Sequence, residues 1–183
     1  MASIRKKLDG QFKNSKKVLN LFSYTGAFSL QALSHASEAT SVDLSGKYMS
    51  WLEENVELNG WSERHQSIVK SCAKALKENK EKYDLVVCDP PSFSSDGKKR
   101  ESAQDFYKKN WSDLWNSVSD GGKLIVFLNT HKVSRKKFKS LIVDLLRNKG
   151  RITSDLYLDE DCGTLKGFPE GDYLKGFLIQ KIS

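Results

Sequence analysis

The sequence predicts a three-layer α/β/α fold around a seven-stranded, mostly parallel sheet whose last strand runs antiparallel to the rest. Three observations carry that expectation. Short apolar runs alternate with amphipathic stretches along the chain. The connections between them suit repeated βα units, which build a parallel sheet through right-handed crossovers. The final two apolar runs, Arg151–Tyr157 and Tyr173–Ile179, have no helical pattern between them, so they close as a hairpin-like pair and the last strand reverses.

Each element follows from its own residues. Val18–Phe22 reads as a buried strand, and Gly26 opens a helix with Phe28, Leu30 and Leu33 as apolar positions. Ala39–Val42 is a second strand ending at Asp43. Ser45 caps a helix running to Leu58, with Trp51, Leu52 and Val56 on or near its inner face, and Asn59-Gly60 ends it. Ser67–Val69 is a brief third strand, followed by a helix over Cys72–Glu78. Asp84–Cys88 is a fourth strand whose valines suit burial on both faces. Asp89-Pro90-Pro91 stops it, because proline cannot donate to the ladder. A polar loop from Ser94 to Arg100 leads to a helix over Ser102–Ser117. Asp120-Gly121-Gly122 turns the chain into the fifth strand, Lys123–Leu128. Ser134–Asn148 is the last helix, with Phe138, Leu141, Ile142 and Leu145 on one face. No repeat or linker interrupts the pattern, so a single domain over residues 1–183 is expected.

Composition narrows the function classes. At 183 residues and 38% hydrophobic, the chain can bury one real core. Apolar runs such as Leu124–Leu128 fall far short of the roughly 20 residues a membrane-spanning helix needs. Met1-Ala2-Ser3 runs straight into Arg5-Lys6-Lys7 without the apolar stretch of a signal peptide. Cys72, Cys88 and Cys162 are widely spaced and form no metal-binding pair, which points to a reduced, cytoplasmic protein without a metal. The net charge of +7 suits a polyanionic partner, and equally a merely well-solvated surface. The basic residues cluster after strand ends in the second half, at Lys98-Lys99-Arg100, Lys108-Lys109, His131-Lys132 and Arg135-Lys136-Lys137 with Lys139. Strand carboxyl ends are where open α/β sheets place their ligands.

Three motifs occupy that edge. The first βα turn, Asn20-Leu21-Phe22-Ser23-Tyr24-Thr25-Gly26, brings helix N-terminal N–H groups toward a ligand. It carries only one of the glycines that close approach of a pyrophosphate requires, which disfavours a nicotinamide or flavin dinucleotide. Asp43 ends the second strand, where a carboxylate accepts hydrogen bonds from a ribose; placement at a helix N-terminus for the dipole is the alternative. Asp89-Pro90-Pro91-Ser92-Phe93 stiffens the loop after strand four and offers Phe93 to stack on a flat base, unless Phe93 is tucked into the core.

Taken together, N-L-F-S-Y-T-G, Val42-Asp43-Leu44-Ser45, Asn55-Val56-Glu57-Leu58-Asn59-Gly60 and D-P-P-S-F resemble the catalytic domain of bacterial class I methyltransferases of large-subunit (23S) ribosomal RNA. That group includes cytosine-C5 and guanine-N7 enzymes. The ending, Phe168-Pro169-Glu170-Gly171 with Tyr173-Leu174-Lys175-Gly176, resembles the C5 branch. The resemblance implies a Rossmann-like class I methyltransferase fold, S-adenosyl-L-methionine as cofactor and ribosomal RNA, naked or in a pre-ribosomal particle, as partner. It implies that Phe22, Ser23, Tyr24, Thr25 and Gly26 wrap the methionine part, that Asp43 with Leu44 holds the ribose side, and that Ser71-Cys72 lies at the adenine. Asp89 is implied near both the methionine amino group and the target base, with Pro90, Phe93 and Asn129 as further catalytic-site residues.

Three departures sharpen the expectation. Where the family carries an acid contacting adenine, this chain has Ser71-Cys72. Members carry an upstream RNA-binding domain, and this chain begins almost at the first motif, so that domain is expected to be absent from it. The C5 enzymes place a cysteine nucleophile at the end of strand five, because C5 of cytosine needs covalent activation. Here that place reads Leu128-Asn129-Thr130-His131-Lys132, which disfavours the C5 route. Guanine N7 has an in-plane lone pair and needs only orientation and desolvation. Asn129 and Lys132 loosely resemble the guanine-N7 type, with Asn129 able to read a base edge and Lys132 able to meet O6 or a phosphate. Methylation of an exocyclic amine stays open, because a D-P-P segment followed by an aromatic also serves that chemistry. A non-catalytic RNA-binding module of the same fold is the rival from another class.

Overall fold

The computed structural model describes residues 1–35, 37–95, 100–158 and 173–182, with the side chains of 93–95, 100 and 101 left aside. The predicted polar tip at 96–99, the cations Lys98 and Lys99, and the Phe168–Gly171 ending with Cys162 therefore lie outside the described residues. So does the side chain of Phe93.

The chain order is α1 (Ala2–Lys13), β1 (Lys17–Leu21), α2 (Ala27–Ser34), β2 (Glu38–Asp43), α3 (Gly46–Leu58), β3 (His65–Val69), α4 (Cys72–Glu78) and β4 (Tyr83–Cys88). It continues with β5 (Phe93–Ser95), β6 (Arg100–Ser102), α5 (Ala103–Ser117), β7 (Val118–Asn129), α6 (Arg135–Leu146), β8 (Gly150–Leu156) and β9 (Leu174–Lys181). The main sheet has seven strands in the order β3-β2-β1-β4-β7-β9-β8. β1 pairs in parallel with both β2 and β4, and β4 pairs in parallel with β7. β9 is antiparallel to both of its neighbours. This is the expected Rossmann-like, three-layer arrangement.

The strands are apolar on both faces because helices cover both. One face packs Leu19, Leu21, Val86, Cys88 and Val126 against α4, α5 and α6, through Leu76, Tyr107, Leu114 and Phe138. The other packs Val18, Leu85, Val87 and Phe127 against α1, α2 and α3, through Phe12, Phe28, Leu33 and Leu52.

Several elements differ from the sequence expectation. Helix α1 was not anticipated; Ile4, Leu8 and Phe12 recur every fourth residue and are fully or almost fully buried beneath it. Residues 93–95 and 100–102, expected in a polar loop, pair as a small antiparallel hairpin. The expected turn at Asp120-Gly121-Gly122 lies within β7, where the register against β4 shifts between Tyr83 and Leu85 and Gly121 takes φ +70°. Trp51 lies on the outer face of α3, 41% exposed, rather than the inner one. The last helix stops at Leu146 because Arg147 and Asn148 both adopt positive φ.

Candidate active site

The carboxyl ends of β1, β2, β3, β4 and β7 converge on one edge of the sheet, and the candidate residues lie there. The first turn is sharply coiled: Phe22, Tyr24 and Gly26 take φ values of 57°, 50° and 81°. Gly26 is required on steric grounds too, since a Cβ there would stand 2.0 Å from Leu52 Cδ1. Ser23 N–H donates to the Val42 carbonyl (3.0 Å) and Gly26 N–H to the Ser23 carbonyl (2.8 Å). The buried Ser23 hydroxyl reaches Met49 Sδ at 3.4 Å, while Thr25 is half-buried and Tyr24 is 54% exposed.

Asp43 ties this turn to the next. Its Oδ2 accepts from Tyr24 N–H and its Oδ1 from Ser45 N–H, both at 2.9 Å. A carboxylate offers about four acceptor positions, so each oxygen keeps room for an incoming hydroxyl. Ser45 in turn caps α3, its hydroxyl accepting from Tyr48 N–H. Beyond the ends of β2 and β3, Leu44 and Val69 leave apolar surface exposed, 58% and 54%, beside a carboxylate that could take a ribose. Val69 was not singled out from sequence; an exposed valine at a strand end gives no motif.

Ser71 and Cys72 play different parts. Ser71 caps α4, its hydroxyl accepting from Lys74 N–H at 3.4 Å, and its own proton is left to donate. Cys72 is buried, and its thiol accepts from Phe22 N–H at 3.2 Å. Burial pushes that thiol up to about 12, so it braces the turn as a neutral group.

Asp89 leaves β4 half-buried and makes no hydrogen bond or ion pair among the described residues. Burial raises its carboxyl from 3.8 to about 7. A partly desolvated acid at a strand end is a functional-site signature when, as among the described residues here, no partner rewards its charge. Pro90 is buried beside it. Across the gap, Asn129 ends β7 with its side chain exposed. The Ser92 hydroxyl donates to the Asn129 carbonyl, joining the two loops. Below them Lys175, buried on β9, donates to the carbonyls of Thr130 (2.7 Å) and Tyr173 (3.2 Å). The His131 ring lies 5.8 Å from that of Tyr173, tilted by 55° to it. His131, Lys132, Lys136, Lys137 and Lys139 are all exposed.

The edge thus carries a ribose-type acceptor, exposed apolar side chains and an acid with no hydrogen-bond or ion-pair partner among the described residues, with exposed cations on the segment that follows β7. Residues 3–142 match the family model described as Conserved hypothetical protein 95. The chain belongs to that family. Relatives include the putative ribosomal RNA large subunit methyltransferase YwbD of Bacillus subtilis, 33% identical over 97% of this chain and 47% of the relative. Ribosomal RNA large subunit methyltransferase I of Aeromonas salmonicida is 30% identical over 93% of this chain and 45% of its own length. The solved structure of SMU.776, in complex with S-adenosylhomocysteine, superposes with a TM-score of 0.83 at 27% identity, covering 96% of this chain and 49% of the other. The chain therefore spans about half the length of these three relatives, and it has the Rossmann-like class I methyltransferase fold.

No helix among the described residues is long and apolar enough to cross a membrane, and no group of His, Cys, Asp and Glu among them is arranged to hold a metal.

Proposed function

We propose that this chain is the catalytic domain of a cytoplasmic S-adenosylmethionine-dependent methyltransferase that modifies large-subunit ribosomal RNA, at guanine N7. The observation that carries the reading is the unpaired, half-buried Asp89 standing across one edge from the backbone-anchored Asp43. That pair fits the two polar ends of this cofactor, an ammonium at Asp89 and a ribose diol at Asp43, with Leu44 and Val69 flanking its flat base. The SMU.776 structure, solved with S-adenosylhomocysteine, supports the same assignment. The bound cofactor supplies an electrophilic methyl group.

The chain's own residues do the rest. The first turn, held by Asp43 and Cys72, fixes the cofactor. The Asp89-Pro90-Pro91-Ser92 loop and Asn129 bound a slot for a base turned out of its stack. N7 has a lone pair in the ring plane, so it needs only alignment and exclusion of water, while Asn129 reads the base edge and Lys132, Lys136 and Lys137 meet phosphates. Cys72 and Cys88, the described cysteines, are both buried with raised thiol pKa, which supports a route without a thiolate. An exocyclic amine is the second reading, favoured by the near-neutral Asp89, which can accept the proton such a nitrogen releases.

The test incubates the chain with methyl-labelled S-adenosylmethionine and unmodified ribosomal RNA, then maps the labelled nucleotide. Label on N7 of a guanine in the large-subunit RNA, lost in Asp89→Ala, is the expected result. Label on an amine nitrogen selects the second reading, and label in no RNA overturns both.

A further inference from the structure

The strands β4 and β7 pair in register as far as Cys88 and Val126 and then part. β4 runs into Asp89 and two prolines, while β7 continues three residues further against β9, through Asn129. The gap between them opens where the candidate slot begins. Backbone groups facing such a gap inside a protein need partners, and one hydroxyl stands within reach of three of them. Tyr107, fully buried on α5, places its hydroxyl 3.0 Å from the Cys88 carbonyl, 2.8 Å from the Phe127 carbonyl and 3.2 Å from the Phe127 N–H. A phenol has one proton and can also accept. It receives the Phe127 N–H from β7, and with its proton on the Cys88 carbonyl it bonds both strands through one oxygen atom.

The position of that oxygen matters. Cys88 directly precedes Asp89, and Phe127 precedes Asn129 by two residues, so the hydroxyl sits at the root of both loops that bound the slot. Ser92 joins the same loops at their far end through the Asn129 carbonyl. The ring itself is immobilised among Phe106, Trp111 and Phe138, at centroid distances of 6.0, 6.5 and 5.7 Å. A phenylalanine would satisfy that packing as well; the hydroxyl adds only the bridge.

We propose that Tyr107 is a positioning residue for methyl transfer: its hydroxyl fixes the separation of the Asp89 loop from the Asn129 loop, and so the fit of the target base, far more than it contributes to cofactor affinity. The proposal rests on the functional reading above. Misplacement of reacting groups by about 1 Å lowers a rate by about 100-fold, so Tyr107→Phe is expected to lower kcat for RNA methylation by about 10- to 100-fold. Its S-adenosylmethionine affinity is expected to fall much less, by about fivefold at most, because among the described residues Tyr107 makes no hydrogen bond to the first turn or Asp43 and only the Asp89 end of the cofactor site shifts.

The experiment compares wild type and Tyr107→Phe in cofactor titration, steady-state methylation and a 13C carboxyl titration of Asp89. A fall in kcat that far exceeds any loss of cofactor affinity supports the proposal. An unchanged kcat overturns it, and so does a parallel loss of cofactor affinity, which would make Tyr107 a general packing residue. If wild type methylates no RNA, the functional reading fails and the carboxyl titration decides. A midpoint that drops in the variant, as water enters the widened gap, supports the bridge; an unmoved midpoint overturns it. Should the variant not fold, amide exchange on wild type serves: a Phe127 N–H that exchanges as fast as exposed loop amides overturns the proposal, and one protected like the β7 core supports it.

Discussion

Replacing Asp89 by asparagine is expected to make the protein more stable at alkaline pH while weakening its cofactor site. The unfolded chain releases the Asp89 proton near 3.8, whereas the folded one holds it to about 7. Between those values unfolding releases a proton, so stability falls as pH rises through the window, is full below it and is flat above it. The shift from 3.8 to about 7 corresponds to about 4 kcal/mol at one pKa unit per about 1.4 kcal/mol. The residue as a whole keeps some exposure to water, so roughly 2–4 kcal/mol is the working range. Asparagine has nearly the same shape and cannot ionise. In thermal melts, Asp89→Asn should match wild type near pH 4 and exceed it by about 4–16 °C at pH 8, at about 2–4 °C per kcal/mol for a chain of this size. Wild-type affinity for S-adenosylmethionine should rise between pH 6 and pH 8 as Asp89 ionises, and the variant's should be weak and flat. Melting curves that stay parallel at every pH, or a variant less stable than wild type at pH 8, would refute the reasoning.

Other consequences follow from the same geometry. Gly26→Ala combines a positive φ with a Cβ 2.0 Å from Leu52; we expect a loss of about 2 kcal/mol or more in denaturant unfolding, together with loss of cofactor binding. Ser41 hydrogen-bonds both Ser29 and His65 in a polar chain that continues to Asn20. Ser41→Ala should destabilise by about 1–3 kcal/mol. His65 is held below its ordinary value by burial, so the unfolded chain takes up its proton first and its contribution to stability should fade as pH drops below about 6.5. A His65→Gln variant whose melting temperature keeps the wild-type acid slope would contradict this. Lys136→Glu with Lys137→Glu should weaken RNA binding and flatten its salt dependence, by about one unit of slope for each phosphate the lysines had neutralised; an unchanged slope removes α6 from the RNA footprint.

The site's outline was legible in the sequence because its residues coincide with punctuation. Asp43 and Asp89 each end an apolar run, and proline or a capping serine follows, so strand ends and ligand edge were placed together. The antiparallel last strand followed from two runs without a helix between them. Helix α1 escaped because Arg5, Lys6, Lys7 and Gly10 dilute a pattern carried by Ile4, Leu8 and Phe12 alone. The hairpin at 93–95 and 100–102 escaped because its polar residues carry no alternation. Trp51 read as an inner residue by type, yet helix phase turns it outward. Tyr107 gave no signal: an aromatic on the buried face of a helix reads as packing, and its hydroxyl acquires a role only when two strands diverge around it.

The central claim is that this edge binds S-adenosylmethionine through Asp43 and Asp89. Calorimetric titration of the purified chain with S-adenosylmethionine, repeated on Asp43→Ala with folding checked by circular dichroism, tests it most directly. The account predicts saturable binding at one site per chain for wild type and none for the variant. A folded wild type that releases no binding heat at any ligand concentration, or an Asp43→Ala variant that binds equally well, would contradict it.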